Sequence, residues 1–450
     1  MAEQRGAHAE TAQAREVSLM IRQQIAAHTD DVLSTAVRGA ADHARRGRRR
    51  LDAIGSEIRD ALGDQRAPGW DTPTGVRQFQ LFLAAKVRDI GRVVADVVAD
   101  DRARTALLRS LGPGYDLPAR VRDRLNRQVL ADDIRRVEQA TEAISAAEMI
   151  RYDNALRVRD GLRSNSGSGA GPVLLLSYDP AAFAGRGRAA IAIGDPDTAD
   201  NTTVLVPGAH SSVRDGYLSA PDGLNVYCEA ARADPARSNS VIIWMGYRAP
   251  DSLLDPSVAQ PDSARSGGSL LAADIDALRA AHRGTGHLTV VGHSYGSTTV
   301  ADAAAGFGMR ADDVVLVGSP GTDLARSAKD FHLPPDGHVY VGAASADPIT
   351  GFAGEPQLPI PGTTIGLGPD PADDGYGSTR FKAETPWPSA PMAGHSRYFK
   401  PGTESLFSIG DIVSGHGDAL AGDRMTAPHR RRLPAFDPEL LRPGSGGHRH

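Results

Sequence analysis

Leu288-Thr289-Val290-Val291-Gly292-His293-Ser294-Tyr295-Gly296 is the stretch on which the fold is decided. Leu288 to Val291 is an unbroken run of apolar and β-branched residues, the mark of a buried strand, and it enters Gly-x-Ser-x-Gly with no linker. With 49 glycines in 450 residues the bare five-residue pattern is weak evidence. Its setting carries the reading. Ser297 to Ala305 is rich in small residues and reads as a closely packed helix, so Ser294 falls on a strand-to-helix turn. Gly292 and Gly296, two positions either side of it, remove the side chains that would keep strand and helix apart. A nucleophile elbow places the serine at a helix N-terminus, where backbone N–H groups favour developing negative charge.

A serine hydroxyl needs a base to take its proton, and the base needs an acid to orient it. On an elbow of this kind the chain order is serine, acid, histidine. Val339-Tyr340-Val341-Gly342-Ala343-Ala344-Ser345-Ala346-Asp347 supplies a later strand that ends in Asp347, with Pro348 closing it. Asp323, after the preceding strand, is the competitor. Arg380 to Glu384 reads as one more strand, followed by Gly394-His395-Ser396-Arg397-Tyr398, and a helix from about Thr403 to Ile412 comes next. His395 is therefore the expected base, with His416 beyond that helix as the alternative. His293, inside the elbow, is expected to direct its side chain away. Gly394-His395-Ser396 is no second elbow, because no apolar strand leads into it and Tyr398 stands where the closing glycine belongs.

Two backbone donors complete such a site as an oxyanion hole. One is the N–H of Tyr295. The other follows an earlier strand, Thr203-Val204-Leu205-Val206, which ends in Pro207-Gly208-Ala209-His210; Ala209 is the first choice and Gly208 the second.

Working outward, short apolar runs recur at Val173 to Leu176, Ala189 to Ile193, Val241 to Met245 and Val314 to Val317, separated by helix-length segments. Unalternating runs of that length predict a doubly wound, mostly parallel sheet covered on both faces. The expected α/β domain spans 172–427, with a surface excursion from Gly351 to Gly377 and a disordered tail over 428–450. Before it, residues 1–163 read as an all-α helical bundle. Leu51, Ile54, Ile58 and Leu62 form one stripe, and Phe79, Leu83, Val87, Ile90, Val94 and Val97 a second; Val121, Leu125, Ile134, Val137, Ile144 and Ile150 form a third. Breaks at Pro68-Gly69 and Gly112-Pro113-Gly114 separate them. Ser164 to Gly171 is a Gly/Ser linker.

A net charge of -5 with 23% charged residues excludes a dedicated nucleic-acid binder. No apolar run is long enough for a transmembrane segment. One cysteine, Cys228, excludes an internal disulfide and a cysteine zinc cluster. No metal or cofactor is expected, and the polar first residues point to the cytoplasm, with export lacking a signal peptide left open. The N-terminal helices are candidates for a protein partner or for self-association.

Four stretches carry a resemblance: Leu117-Pro118-Ala119-Arg120-Val121-Arg122-Asp123-Arg124-Leu125-Asn126-Arg127, Gly194-Asp195-Pro196-Asp197-Thr198-Ala199-Asp200, Val206-Pro207-Gly208 and the elbow. From about Leu117 to Gly417 the chain resembles an actinobacterial α/β-hydrolase family catalogued as domain of unknown function ten-twenty-three. That resemblance implies a serine hydrolase with Ser294, Asp347 and His395 as its triad, and no substrate. The family's loop after Val-Pro-Gly is richer in glycine than Ala209-His210. From the residues themselves, the expected reaction is acyl transfer from an ester to water, with thioesters and amides as related small-molecule acyl substrates. The pocket is expected between the segment from Tyr247 to Gly268 and the Gly351 to Gly377 excursion. The rival expectation is a helical binding or secretion-associated protein on an inactive hydrolase scaffold.

Overall fold

The computed structural model describes residues 45–61, 72–110, 117–141, 143–167, 171–252, 256–354, 358–360, 363–384, 391–432, 435–442, 448 and 450. The first 44 residues, Leu62, the breaks at Pro68-Gly69 and Gly112-Pro113-Gly114, and part of the expected linker lie outside the described residues. The chain divides into two compact units, Met1–Asp116 and Leu117–His450.

In the first unit, helix α1 (45–61) and helix α2 (Pro73–Ser110) carry cross-pairs from Arg50 to Asp96 and from Glu57 to Lys86, an antiparallel register. Ile54 and Val93 are buried, but Val87 and Ile90, assigned to the inward stripe by spacing, are exposed. A helical period identifies a stripe without fixing how much of it is covered.

The second unit holds an eight-stranded sheet in the order β1-β2-β4-β3-β5-β6-β7-β10. Its strands are β1 (Val173–Asp179), β2 (Arg188–Ile193), β3 (Asn201–Val206), β4 (Asn239–Met245), β5 (His287–His293), β6 (Asp313–Val317), β7 (Val339–Gly342) and β10 (Thr379–Phe381). A hairpin, β8 (Leu358–Ile360) and β9 (Thr363–Ile365), stands apart. β2 runs antiparallel to β1 and β4, and the remaining pairs are parallel. Alternate residues serve opposite faces. Val204, Val290, Val314 and Leu316 face one core, with Leu271 and Ile275 of α7 (Asp262–Ala281) and Val300 of α8 (Tyr295–Phe307). Leu205, Val291, Val315 and Val317 face the other, with Val226 of α6 (Asp222–Ala233) and Ile409 and Ile412 of α10 (Glu404–Val413). Double coverage is why these strands read as continuous apolar runs. This is the α/β-hydrolase fold that the elbow predicts. Among the described residues, no helix is long and apolar enough to cross a membrane.

The boundary near Ser164 is not where the compact units part. Helices α3 (Ala119–Glu138) and α4 (Ala146–Ser164) belong to the second unit, where Leu130, Ile134, Val158 and Leu162 pack with Leu175, Ile191 and Ile193. Polar residues of α3 close the open edge of β1: Asp123 accepts the Leu175 N–H at 2.7 Å, while Asn126 and Arg127 donate to the carbonyls of Leu175 and Val173. An uncovered edge strand would leave those groups unpaired. Asn165, inside the expected linker, is buried and bonded to Leu218 O. The expected disordered tail departs in the same way. Arg430 and Arg380 both pair with Asp437, and Arg442 pairs with Glu404, so these described residues of the stretch are tied down.

On α8, Asp302 is fully buried beside Asp323, whose carboxylate is held by Arg265 at 2.7 and 3.0 Å. Burial, then the charge of Asp323, pushes Asp302 up to about 8. The folded state therefore binds this proton where the unfolded chain has released it, and stability from this group falls as pH rises between the ordinary carboxylate range and about 8. Asp302→Asn, which mimics the protonated acid, should gain on wild type by more than about 1 kcal/mol between mildly acidic and mildly alkaline buffer. Urea unfolding across that range measures it, and a difference that does not change with pH counts against the assignment.

Candidate active site

Ser294 caps the N-terminus of α8 directly after β5, with φ 56° and ψ -132°. Its amide donates to Val317 O on β6 at 2.9 Å, and its carbonyl accepts from the amide and hydroxyl of Ser297 at 2.9 and 2.6 Å. Both elbow glycines are required sterically. A Cβ at Gly292 would lie 2.6 Å from the Cα of Ser297, and one at Gly296 would enter the Val206 and Pro207 carbonyls. The expected oxyanion loop lies over the serine: a Cβ at Gly208 would stand 2.5 Å from the Ser294 Cβ and 2.9 Å from its Oγ. The His210 N–H is spent on Pro250 O at 2.8 Å, so Ala209 and Gly208 stay the donors to consider beside Tyr295. The Tyr295 phenol anchors α8 to the start of α7, donating to Gln260 O just before it and accepting from the Ala264 N–H in its first turn.

Asp347 follows β7 and caps the 3-10 turn Pro348–Phe352. His395 closes the short helix α9 (Pro391–His395). The two meet: Nδ1 of His395 lies 2.9 and 3.1 Å from the carboxylate oxygens of Asp347, and both residues are buried. The same carboxylate accepts the Tyr398 hydroxyl at 2.8 Å and the Ile349 N–H at 2.9 Å. Burial works to raise the Asp347 pKa, but the hydrogen bonds and charge of His395, with Tyr398 and Ile349 behind them, hold it below the ordinary carboxylate range. An Nδ1–H directed at an ionised Asp347 leaves Nε2 of His395 as the basic nitrogen.

The competitors are occupied elsewhere. Asp323 is held by Arg265, and His416 lies 2.8 Å from Asp234. Two residues contribute that sequence reasoning missed. Tyr398 was read only as a failed elbow glycine; its hydroxyl also accepts the Ala344 N–H at 3.1 Å, linking the histidine segment to the end of β7. His293, expected to turn away, instead lies against His395 with ring centres 4.8 Å apart, and its Nε2–H donates to the His395 carbonyl at 2.9 Å. Burial, then the charge on His395, lowers the His293 pKa to about 3, so it is a neutral support. An i−1 neighbour of a serine that touches a residue 102 positions away leaves no sequence signal.

Ser294, Gly208, Ala209, His293 and His395 line one cavity of about 230 Å³. Tyr217, Asp222, Met392 and Phe399 line it as well. Among the described residues, those of the walls expected from Tyr247 to Gly268 and from Gly351 to Gly377 do not line it; the chain after β3 and the segment around α9 do.

A family profile described as alpha/beta hydrolase matches residues 179–356, and one described as domain of unknown function (DUF4226) matches residues 5–120. The chain is 44% identical to uncharacterized protein Rv2079 of Mycobacterium tuberculosis over 387 residues, 81% of this chain and 57% of that one. It thus spans rather more than half the length of the first curated relatives it matches. It is 30% identical over 235 residues to uncharacterized protein Rv0963c of Mycobacterium tuberculosis, 48% of this chain and 84% of that protein. A solved structure of an arylesterase covers 64% of this chain and 97% of its own at 10% identity, with a TM-score of 0.34.

Tyr398→Phe removes a donor from Asp347 and the acceptor of the Ala344 N–H. It should cost about 1–3 kcal/mol at neutral pH. A depressed carboxylate stabilises the fold above its unfolded pKa and loses that contribution as pH falls through its folded pKa. The gap between wild type and Tyr398→Phe should therefore narrow in acid, as read by urea unfolding; a gap that widens there contradicts the assignment.

Proposed function

From the premise that the chain belongs to the family of mycobacterial proteins that includes Rv0963c and bears an α/β-hydrolase domain, we propose that it is a serine hydrolase acting on an ester through an acyl-enzyme. The narrower likeness to the family catalogued as ten-twenty-three is part of the same proposal. The observation that carries it is His395, bonded through Nδ1 to the buried Asp347 and lining the same cavity as a serine held at positive φ on a helix N-terminus.

In this reading Ser294 Oγ attacks the acyl carbon while Nε2 of His395 takes its proton. The C–O π electrons move onto the carbonyl oxygen, which the N–H groups of Tyr295 and of Ala209 or Gly208 hold. The intermediate collapses, the alkoxide leaves, and His395 returns the proton to it. Water, deprotonated by His395, then attacks the acyl-serine; the acyl–Oγ bond breaks, His395 returns the proton to Ser294 Oγ, and the acid leaves. Asp347 stays ionised throughout, fixing the tautomer of His395 and offsetting the imidazolium charge, with Tyr398 and Ile349 holding the carboxylate in place. Thioesters and amides follow the same route with sulfur or nitrogen as leaving atom.

The test is kcat/KM on a series of 4-nitrophenyl esters of increasing acyl length. Wild type should hydrolyse the short members, and Ser294→Ala and His395→Ala should each lose about a thousandfold or more in kcat. Asp347→Asn should lose on the same scale by favouring the wrong tautomer. Equal turnover by wild type and Ser294→Ala would sink the proposal in favour of an inactive scaffold.

A further inference from the structure

Asp222 and Tyr217 stand out among the groups around the cavity. Asp222 is the first residue of α6, and both it and Tyr217 line the space that Ser294 opens into. An aspartate in a first helical turn ordinarily faces water and complements the helix dipole. This one is half-buried against the cavity, and its Oδ2 accepts the Tyr217 hydroxyl at 3.0 Å. Burial raises its carboxyl above the ordinary range, offset in part by Tyr217, and no cationic side chain among the described residues contributes to its charge state.

The contrast with four other carboxylates of the unit is what gives this weight. Asp133, Asp323, Asp370 and Glu404 are buried carboxylates, and each is answered by an arginine: Arg151, Arg265, Arg430 and Arg442. Asp222 has one hydroxyl. An ionised carboxylate has about four lone-pair sites, so most of the accepting capacity is left over, on a residue that lines the cavity a substrate would enter. Neither His293 nor His395 perturbs it, which sets it apart from the proton-transfer groups. A half-buried acceptor in a reaction cavity disfavours a substrate that offers it no donor, because binding then strips its water without replacement.

We propose that Tyr217 and Asp222 form a subsite that selects substrates bearing a hydrogen-bond donor, a hydroxyl or a protonated amine, on the portion seated in the cavity. This rests on the serine-hydrolase reading of the same cavity and adds the substrate class. At about 230 Å³ the space is smaller than those that hold drug-sized ligands, so the selected portion is ring-sized and not a long acyl chain. The Tyr217 hydroxyl holds one carboxylate oxygen in place and leaves the other to the ligand.

Three matched 4-nitrophenyl esters test it: those of cyclohexanecarboxylic acid, its trans-4-hydroxy derivative and its trans-4-ammonio derivative. The readout is the ratio of kcat/KM for each donor ester to that of the plain ester, in wild type, Asp222→Asn, Asp222→Leu and Tyr217→Phe, with thermal melting to establish folding. Wild type should favour at least one donor ester by about tenfold or more. Asp222→Asn should lose the ammonium preference and keep part of the hydroxyl preference, whereas Asp222→Leu should bring both ratios to about one. An advantage confined to one donor ester identifies the group selected. Equal use of all three esters by wild type, or ratios unchanged in Asp222→Leu, overturns the subsite and leaves the hydrolase standing. If Asp222→Leu does not fold, the wild-type and Asp222→Asn ratios still decide. Absence of Ser294-dependent turnover of even the plain ester takes both readings down together.

Discussion

Ser294 sits at φ 56° and ψ -132°, a conformation that a residue with a side chain adopts at a cost of about 1–3 kcal/mol, and the surrounding structure is organised to hold it there. The amide is tied to β6, the carbonyl is tied twice to Ser297, and the backbones of β3 and α8 close in where Gly208, Gly292 and Gly296 have no side chain. Two of the neighbours that enforce it are also parts of the proposed chemistry: the loop after β3, whose Gly208 lies against the serine, and the start of α8 with its dipole.

The second constraint is the Asp347 carboxylate. Three donors reach it from three segments: the turn after β7 through Ile349, the end of α9 through His395, and the chain beyond through Tyr398. Orientation of the histidine is thus not left to one bond. Support continues outward, since Thr350 donates to the Asp347 carbonyl and Arg430 donates to Thr350, while Arg430 is itself held by Asp370 and Asp437. The C-terminal residues around Asp437 therefore brace the acid loop from behind, and the charge there is not a solvated tail.

The elbow, its order relative to Asp347 and His395, and the sheet that carries them were legible because each leaves a local mark: an apolar run, a glycine pair, an aspartate before a proline. Tyr398, His293 and Asp222 were not, since their partners lie far along the chain and a polar residue in a loop has no period to read. The same limit governs the helices. The third stripe found the buried Ile134 but also took in Ile144 and Ile150, which are exposed, and Asp123, Asn126 and Arg127, which bond α3 to β1, look like ordinary surface residues in sequence. Long-range polar pairing also explains why the tail looked disordered: the partners of Arg430 and Arg442 include residues 60 and 38 positions away.

The central claim is that Ser294 is a nucleophile activated by His395. Intact-mass measurement and peptide mapping after treatment with a fluorophosphonate test it most directly, because the adduct records which oxygen attacked. The account predicts a single adduct on Ser294, formed quickly by the wild-type protein and slowed by orders of magnitude in His395→Ala. Folded protein that stays unmodified at Ser294, or an adduct mapped to another residue, would contradict it.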